Sequence, residues 1–181
     1  LADKHGLLLF IDEVQCGMGR TGALFAHQQT GVIPDIVSTA KGIGNGFPLG
    51  ACLTTDKVAA CMGTGTHGST YGSNPLAMAV GNAVLDVMLA PDFFPHVQQV
   101  GDILKAELSA IAADFPDIFS EVRGRGLILG LKAKTPHIEL VEKLRVGGLF
   151  TSPAEDNIIR ITPPLIIEKN HVDEAINIIR K

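Results

Sequence analysis

Cysteine is scarce in this sequence. Cys16, Cys52 and Cys61 are the only three, an odd number with no C-x-x-C pair and no histidine–cysteine cluster. That usage argues against a disulfide scaffold or a structural zinc site, no metal site is expected, and a reducing cytoplasm is the expected compartment. An excess of positive charge is lacking too. Lys and Arg number 15 against 19 Asp and Glu, a net charge of −4, so nothing resembles an electrostatic footprint for nucleic acid or an anionic membrane. The stretch from Val58 to Leu85 carries no charged residue, but Gly, Ser, Thr, Asn and Pro interrupt it, and it does not read as a membrane span. No segment reads as a signal peptide, and neither repeats nor low-complexity tracts occur. An initial Met is also absent. The chain starts on Leu1-Ala2-Asp3-Lys4-His5-Gly6, which reads as the tail of a helix closed by glycine, so further chain is expected upstream.

What is present is 181 residues, enough for one ample domain or two small ones, with 20 Gly and 10 Pro that imply many loops. Leu7 to Ile11 is a continuous apolar run, the pattern of a strand covered on both faces. Residues 35–39 and 51–54 read as further short strands. Asn74 before Pro75 is a cap followed by a residue preset for a first helical turn, which predicts a helix over 75–89. Ala90 to Pro95 breaks the pattern, and a domain boundary is expected there, with residues 1–91 on one side and 92–181 on the other. Beyond it, Val97, Val100, Leu104, Leu108 and Ile111 recur at helical spacing until Pro116. Residues 122–131 read as two strand pieces around Gly124 and Gly126, residues 138–144 as a short helix, and 158–161 as a strand ended by Pro163-Pro164. A last helix carries Val172, Ile176 and Ile179 on one face, with Asn170 as its expected cap. The first half is thus βα with parallel-sheet character, and the second a smaller α+β unit.

Two literal G-x-G-x-x-G matches, at Gly17, Gly19, Gly22 and at Gly63, Gly65, Gly68, fail as dinucleotide fingerprints. Neither has its first glycine directly at a strand end and its last opening a helix. Four other features can carry chemistry. Asp12-Glu13 stands at the carboxyl end of the first strand, where open α/β sheets bind ligands. A carboxylate there can ligate a metal, act as a base, pair with a cationic cofactor group or simply be solvated. Lys41 follows a strand and precedes Gly42, Gly44 and Gly46, which leave space for a planar ligand; an exposed loop lysine is the plainer alternative. The run His67 to Gly72 offers hydroxyls and backbone N–H groups just before a helix, suited to a phosphate or to a turn with its cap. Arg160, inside the apolar strand Ile158 to Ile161, needs an anion, whether a ligand or an internal carboxylate. An acid, a lysine, a phosphate cradle and an arginine together fit pyridoxal phosphate.

The run Leu9 to Gly22, with Asp12-Glu13-Val14-Gln15-Cys16-Gly17-Met18-Gly19-Arg20-Thr21-Gly22 at its heart, resembles the signature of the class III, fold-type-I aminotransferases. So do Pro34 to Gly50 around Lys41, His67 to Ala77, Val122 to Leu127, and Ile159 to Leu165. The likeness runs along essentially the whole chain, in order. It implies the C-terminal part of the family's large-domain, mainly parallel sheet followed by its small α+β domain. By this resemblance Lys41 would form the Schiff base with the cofactor and move the substrate proton. Asp12 would pair with the pyridine nitrogen and keep it protonated, Gln15 would bond the ring hydroxyl, and Val14 would pack on the ring. Thr70 would bind the phosphate of a neighbouring subunit's cofactor in a homodimer, with Ser69 near substrate. Arg160 would bind a substrate carboxylate or pair with a mobile acid. The wording of residues 12–22 suggests N-acetylornithine as amino donor and 2-oxoglutarate as acceptor; ornithine, succinylornithine and 4-aminobutyrate are the alternatives, as is a chain that is catalytically silent alone. Asn45 and Ser73 depart from the pattern, standing where the family often has glycine, and little effect is expected of either.

Overall fold

Three short strands organise the first half of the chain. A computed structural model describes residues 1–181, which divide into a unit formed by Leu1–Gly19 with Ala23–Phe93 and a unit formed by Arg20–Gly22 with Phe94–Lys181. In the first unit, helix α1 (Ala2–His5) ends on Gly6 at φ 64°, whose N–H reaches the carbonyls of Ala2 and Asp3. Strands β1 (Phe10–Asp12), β2 (Ile36–Thr39) and β3 (Ala51–Thr54) follow. β1 and β2 pair in parallel with Asp12 opposite Ser38, and β2 and β3 antiparallel with Ser38 opposite Cys52. The parallel character expected of this half therefore resides in one strand pair. Asp35 enters the pairing through its side chain: Oδ2 accepts the Leu9 N–H at 2.8 Å.

The apolar run at residues 7–11 departs from expectation. Only Phe10 and Ile11 of it are strand, and Leu7, Leu8 and Phe10 are 63%, 51% and 56% exposed. β1 is paired along one edge only, so the layers that would cover such a run on both faces are not supplied by these residues. After β3 come the short helix α2 (Asp56–Ala59) and helix α3 (Pro75–Met88). Asn74 caps α3 as expected, its Oδ1 accepting the Ala77 N–H at 2.9 Å. Ala77, Gly81 and Met88 make its buried stripe.

The second unit is a four-stranded antiparallel sheet with helices on its apolar face. α4 (Phe93–Asp114) buries Val97, Val100, Leu104, Leu108 and Ile111, the residues whose spacing predicted it. The strands β4 (Phe119–Arg125), β5 (Ile128–Ala133), β6 (Ser152–Ala154) and β7 (Ile158–Ile161) lie in the order β4-β5-β7-β6. Register sets Leu129 opposite Ile161 and Leu131 opposite Ile159, and all four are buried. Each such side chain stabilises by about 1.5–3 kcal/mol relative to exposure. Helices α5 (His137–Val146) and α6 (Lys169–Ile179) complete the unit. α6 begins one turn's edge earlier than expected: Glu168 is its cap, because His171 Nδ1 reaches back to accept the Glu168 N–H at 3.0 Å, which draws Asn170 into the first turn. The edge strand β6 contains Pro153, tolerable there because an edge residue needs no second N–H partner. No single helix is long and apolar enough to cross a membrane.

Candidate functional site

Asp12 closes β1 at its carboxyl end. Its Oδ1 accepts two hydrogen bonds, from the Val14 N–H at 2.8 Å and from the Ser38 hydroxyl at 3.3 Å across the parallel register. Both donors meet the same oxygen, leaving Oδ2 open on an exposed side chain. Lys41 lies two residues beyond the end of β2, at the same end of the parallel pair, and opens a short 3-10 turn (Lys41–Ile43) with φ 48°. Its Nζ donates to Gln15 Oε1 at 2.8 Å. Asp12, Val14, Gln15 and Lys41 thus gather at the carboxyl ends of two adjacent strands, three of them on one turn.

That turn is braced from beneath by Glu13. Its side chain is 0% exposed, and its carboxylate accepts the backbone N–H groups of Ala26 (3.0 Å) and His27 (2.8 Å), His27 Nδ1 (3.0 Å) and the Cys16 thiol (3.2 Å). Burial alone would push the Glu13 carboxyl up; the donors from His27, Ala26 and Cys16 together outweigh it and hold the group below its ordinary value. The same neighbourhood pushes the Cys16 thiol up to about 11, through burial first and the Glu13 carboxylate second, which disfavours the thiolate form. Gly17 is required here, since a Cβ would lie 2.6 Å from the Glu13 carbonyl oxygen. This is the use of the first glycine in the rejected dinucleotide match.

The remaining expected residues stand apart from this cluster. Ser69 and Thr70 lie on an exposed loop whose hydrogen bonds are internal, Gly72 N–H to Ser69 O and Asn74 Nδ2 to Tyr71 O. Arg160, in the second unit, is half-buried on β7 opposite Gly130 and Ser152. Its Nε donates to Ser152 Oγ at 3.1 Å. Arg160 makes no ion pair with a carboxylate of residues 1–181, and its side-chain bond is the one to Ser152. Reading the sequence noted Glu13 as half of an acidic pair but not as the support of the turn, and it missed Ser38 and Arg20. Ser38 bonds Asp12. Arg20, in the second unit, donates from a half-buried guanidinium to the carbonyls of Leu127 and Pro163. Burial lowers the pKa of Arg20. An Arg inside a Gly-rich run was the available signal for the last. For Ser38 there was none without the strand register. Asn45 and Ser73 have φ of 42° and 56°, the left-handed region that glycine enters freely, so both residues are mildly strained where the family often has Gly.

An α/β sheet with an acid and a lysine at the carboxyl ends of neighbouring parallel strands is the arrangement of the fold-type-I transferases. Residues 1–181 match the profile of the aminotransferase class III family, and the chain belongs to that family. It is 55% identical over 180 residues to an acetylornithine aminotransferase of Mesorhizobium japonicum, covering 99% of this chain and 45% of that protein. It is 52% identical to an acetylornithine aminotransferase of Agrobacterium fabrum, covering 97% and 44%. Among solved structures, the N-acetylornithine aminotransferase of Stenotrophomonas maltophilia superposes with a TM-score of 0.87 at 37% identity, over 99% of this chain and 47% of that one. An ornithine aminotransferase of Plasmodium yoelii gives 0.92 at 34% identity, over 98% and 48%. The chain therefore spans less than half the length of the relatives it matches. Class III aminotransferases depend on pyridoxal phosphate and act on amino acids and 2-oxo acids.

Proposed function

We propose that this chain is the lysine-bearing part of an acetylornithine aminotransferase, a cytoplasmic homodimer that transfers the amino group of N-acetylornithine to 2-oxoglutarate. The observation that carries the reading is the cluster of Asp12, Gln15 and Lys41, with Lys41 Nζ 2.8 Å from Gln15 and one Asp12 oxygen left open. The donor set fits pyridoxal phosphate: a carboxylate with a free oxygen and an amide share one turn, and a primary amine from the neighbouring strand end bonds that amide. The cofactor, when bound, supplies an electron sink for the bond-breaking step.

The chain's own groups would do the rest. Asp12 Oδ2 would accept the ring N–H, and its negative charge would favour the protonated ring. Lys41 would bond the cofactor through Nζ, and once free, would take a proton from substrate carbon and return it as a general acid. Gln15, released from Lys41, would turn its amide to the ring hydroxyl, and Val14 would pack on the ring face. Thr70 would serve the partner subunit's phosphate, with Ser69 beside the substrate, and Arg160 would receive a substrate carboxylate or pair with a mobile acid. Ornithine is the second reading of the amino donor, since solved ornithine and acetylornithine aminotransferases superpose equally well, each with a TM-score of 0.92.

In the full-length protein, Lys41→Ala is expected to abolish the visible absorption band of the bound cofactor together with transamination of N-acetylornithine. A band that survives the substitution refutes the lysine assignment. The 181-residue chain by itself is expected to be inactive, and measurable turnover by it would show that the site is complete within these residues.

A further inference from the structure

We propose that Ser38 is a positioning residue for Asp12: its hydroxyl, set opposite Asp12 by the parallel register of β1 and β2, fixes the carboxylate so that Oδ2 is the oxygen offered to the ring nitrogen of a bound pyridine cofactor. The proposal rests on the cofactor reading above and adds to it a residue and a mechanism.

Ser38 grips the end of β1 twice. Its carbonyl accepts the Glu13 N–H at 2.8 Å, and its hydroxyl donates to Asp12 Oδ1 at 3.3 Å. An aspartate at a strand end has two soft torsions, and the single bond from the Val14 N–H leaves the carboxylate free to pivot about that contact. A second donor arriving at the same oxygen from the neighbouring strand removes that freedom before any ligand arrives. Ordering a side chain in advance lowers the entropic cost of binding. Because both donors use Oδ1, the arrangement also sorts the two oxygens: one is spent on the protein, the other kept for the ligand.

The register makes the assignment specific. Thr39, the next residue, carries a hydroxyl too, but successive strand side chains face opposite sides. Thr39 is buried there, its Oγ1 without a partner. A slip of one residue would carry the Ser38 side chain to the opposite face, away from Asp12. Cys52, opposite Ser38 on β3, makes no bond to Asp12.

The test compares pyridoxal phosphate with its deaza analogue, in which a CH replaces the ring nitrogen, by measuring both dissociation constants on cofactor-depleted full-length protein. The unmodified protein should prefer the nitrogen-bearing ring. Ser38→Ala should shrink that preference by about three- to tenfold, and Ser38→Thr, which keeps the hydroxyl, should hold it within about twofold. In an Asp12→Asn background, Ser38→Ala should change the preference no further. A preference that falls with Asp12→Asn but not with Ser38→Ala overturns the role of Ser38 alone. A preference indifferent to Asp12→Asn overturns the cofactor reading of Asp12, and the Ser38 proposal with it. Equal weakening of both ligands by Ser38→Ala marks a packing role and overturns the proposal too.

Discussion

The two units of the chain bury different things. In the second, the buried side chains apart from Thr21 are apolar: α4 and the paired Leu129, Leu131, Ile159 and Ile161 close over one face of an antiparallel sheet. In the first, the sheet has three strands, Leu7, Leu8 and Phe10 stand exposed, and the most completely buried side chain is the carboxylate of Glu13. The second unit is held by area removed from water, which is non-directional and robust. The first holds its turn by directed hydrogen bonds to a buried charge, which place the neighbouring side chains within a few tenths of an ångström but tolerate little change. The residues assigned to cofactor chemistry, Asp12, Val14, Gln15 and Lys41, belong to the unit organised by directed bonds. Arg160, given a substrate role, sits on a sheet whose opposite face is the apolar core.

Mutations that exchange the character of the two units test this contrast. Leu131→Ala is expected to cost about 2–5 kcal/mol in the urea unfolding of the second unit. Phe10→Ala in the 181-residue chain should stay within about 0.5 kcal/mol. Equal costs would show that β1 is covered after all. Glu13→Gln should cost about 2 kcal/mol, since it replaces charge-assisted bonds by neutral ones and turns an amide N–H against donors. It should also change the response to acid. The folded carboxyl of Glu13 lies below the ordinary glutamate value, so the unprotonated form is favoured by folding. Its contribution is therefore present above that value and lost as pH falls through the folded one. Unfolding midpoints measured from pH 7 downward should lose this component in Glu13→Gln, and an unchanged acid limb would remove Glu13 from the account. The smallest effect belongs to Ser73→Gly, which relieves a left-handed residue at φ 56°. A gain of up to about 1 kcal/mol is expected, read as a rise in thermal midpoint.

How much could be read in advance followed the range of the interactions. The helix over 75–88 was legible because Asn74 and Pro75 act on the N–H groups of the next turn, and α4 because its apolar residues recur with the helical period. The acid, the amide and the lysine were legible as residue types beside strand ends and glycines. The strand β6 was not, since Pro153 argues against a strand unless it is known to lie on an edge. The start of α6 was misjudged because His171 competes with Asn170 for the role of closing the first turn. Leu7 to Ile11 announced a covered strand, and its composition held no sign of whether the covering layers lie within these residues.

Composition, spacing and local capping were enough to establish an α/β chain with a lysine and an acid at strand ends and an amphipathic helix opening its second half. These are properties of neighbours along the chain, governed by periodicity and by groups three or four residues apart. The pairing of Asp12 with Ser38, the four donors that Glu13 gathers from residues 16, 26 and 27, and the bond from Arg160 to Ser152 were decided in three dimensions. Parallel strands meet only through a crossover, here the residues from Glu13 to Asp35, and the register they adopt depends on how that crossover packs. A hydroxyl 26 positions away from its carboxylate therefore shows its purpose only once the chain has folded.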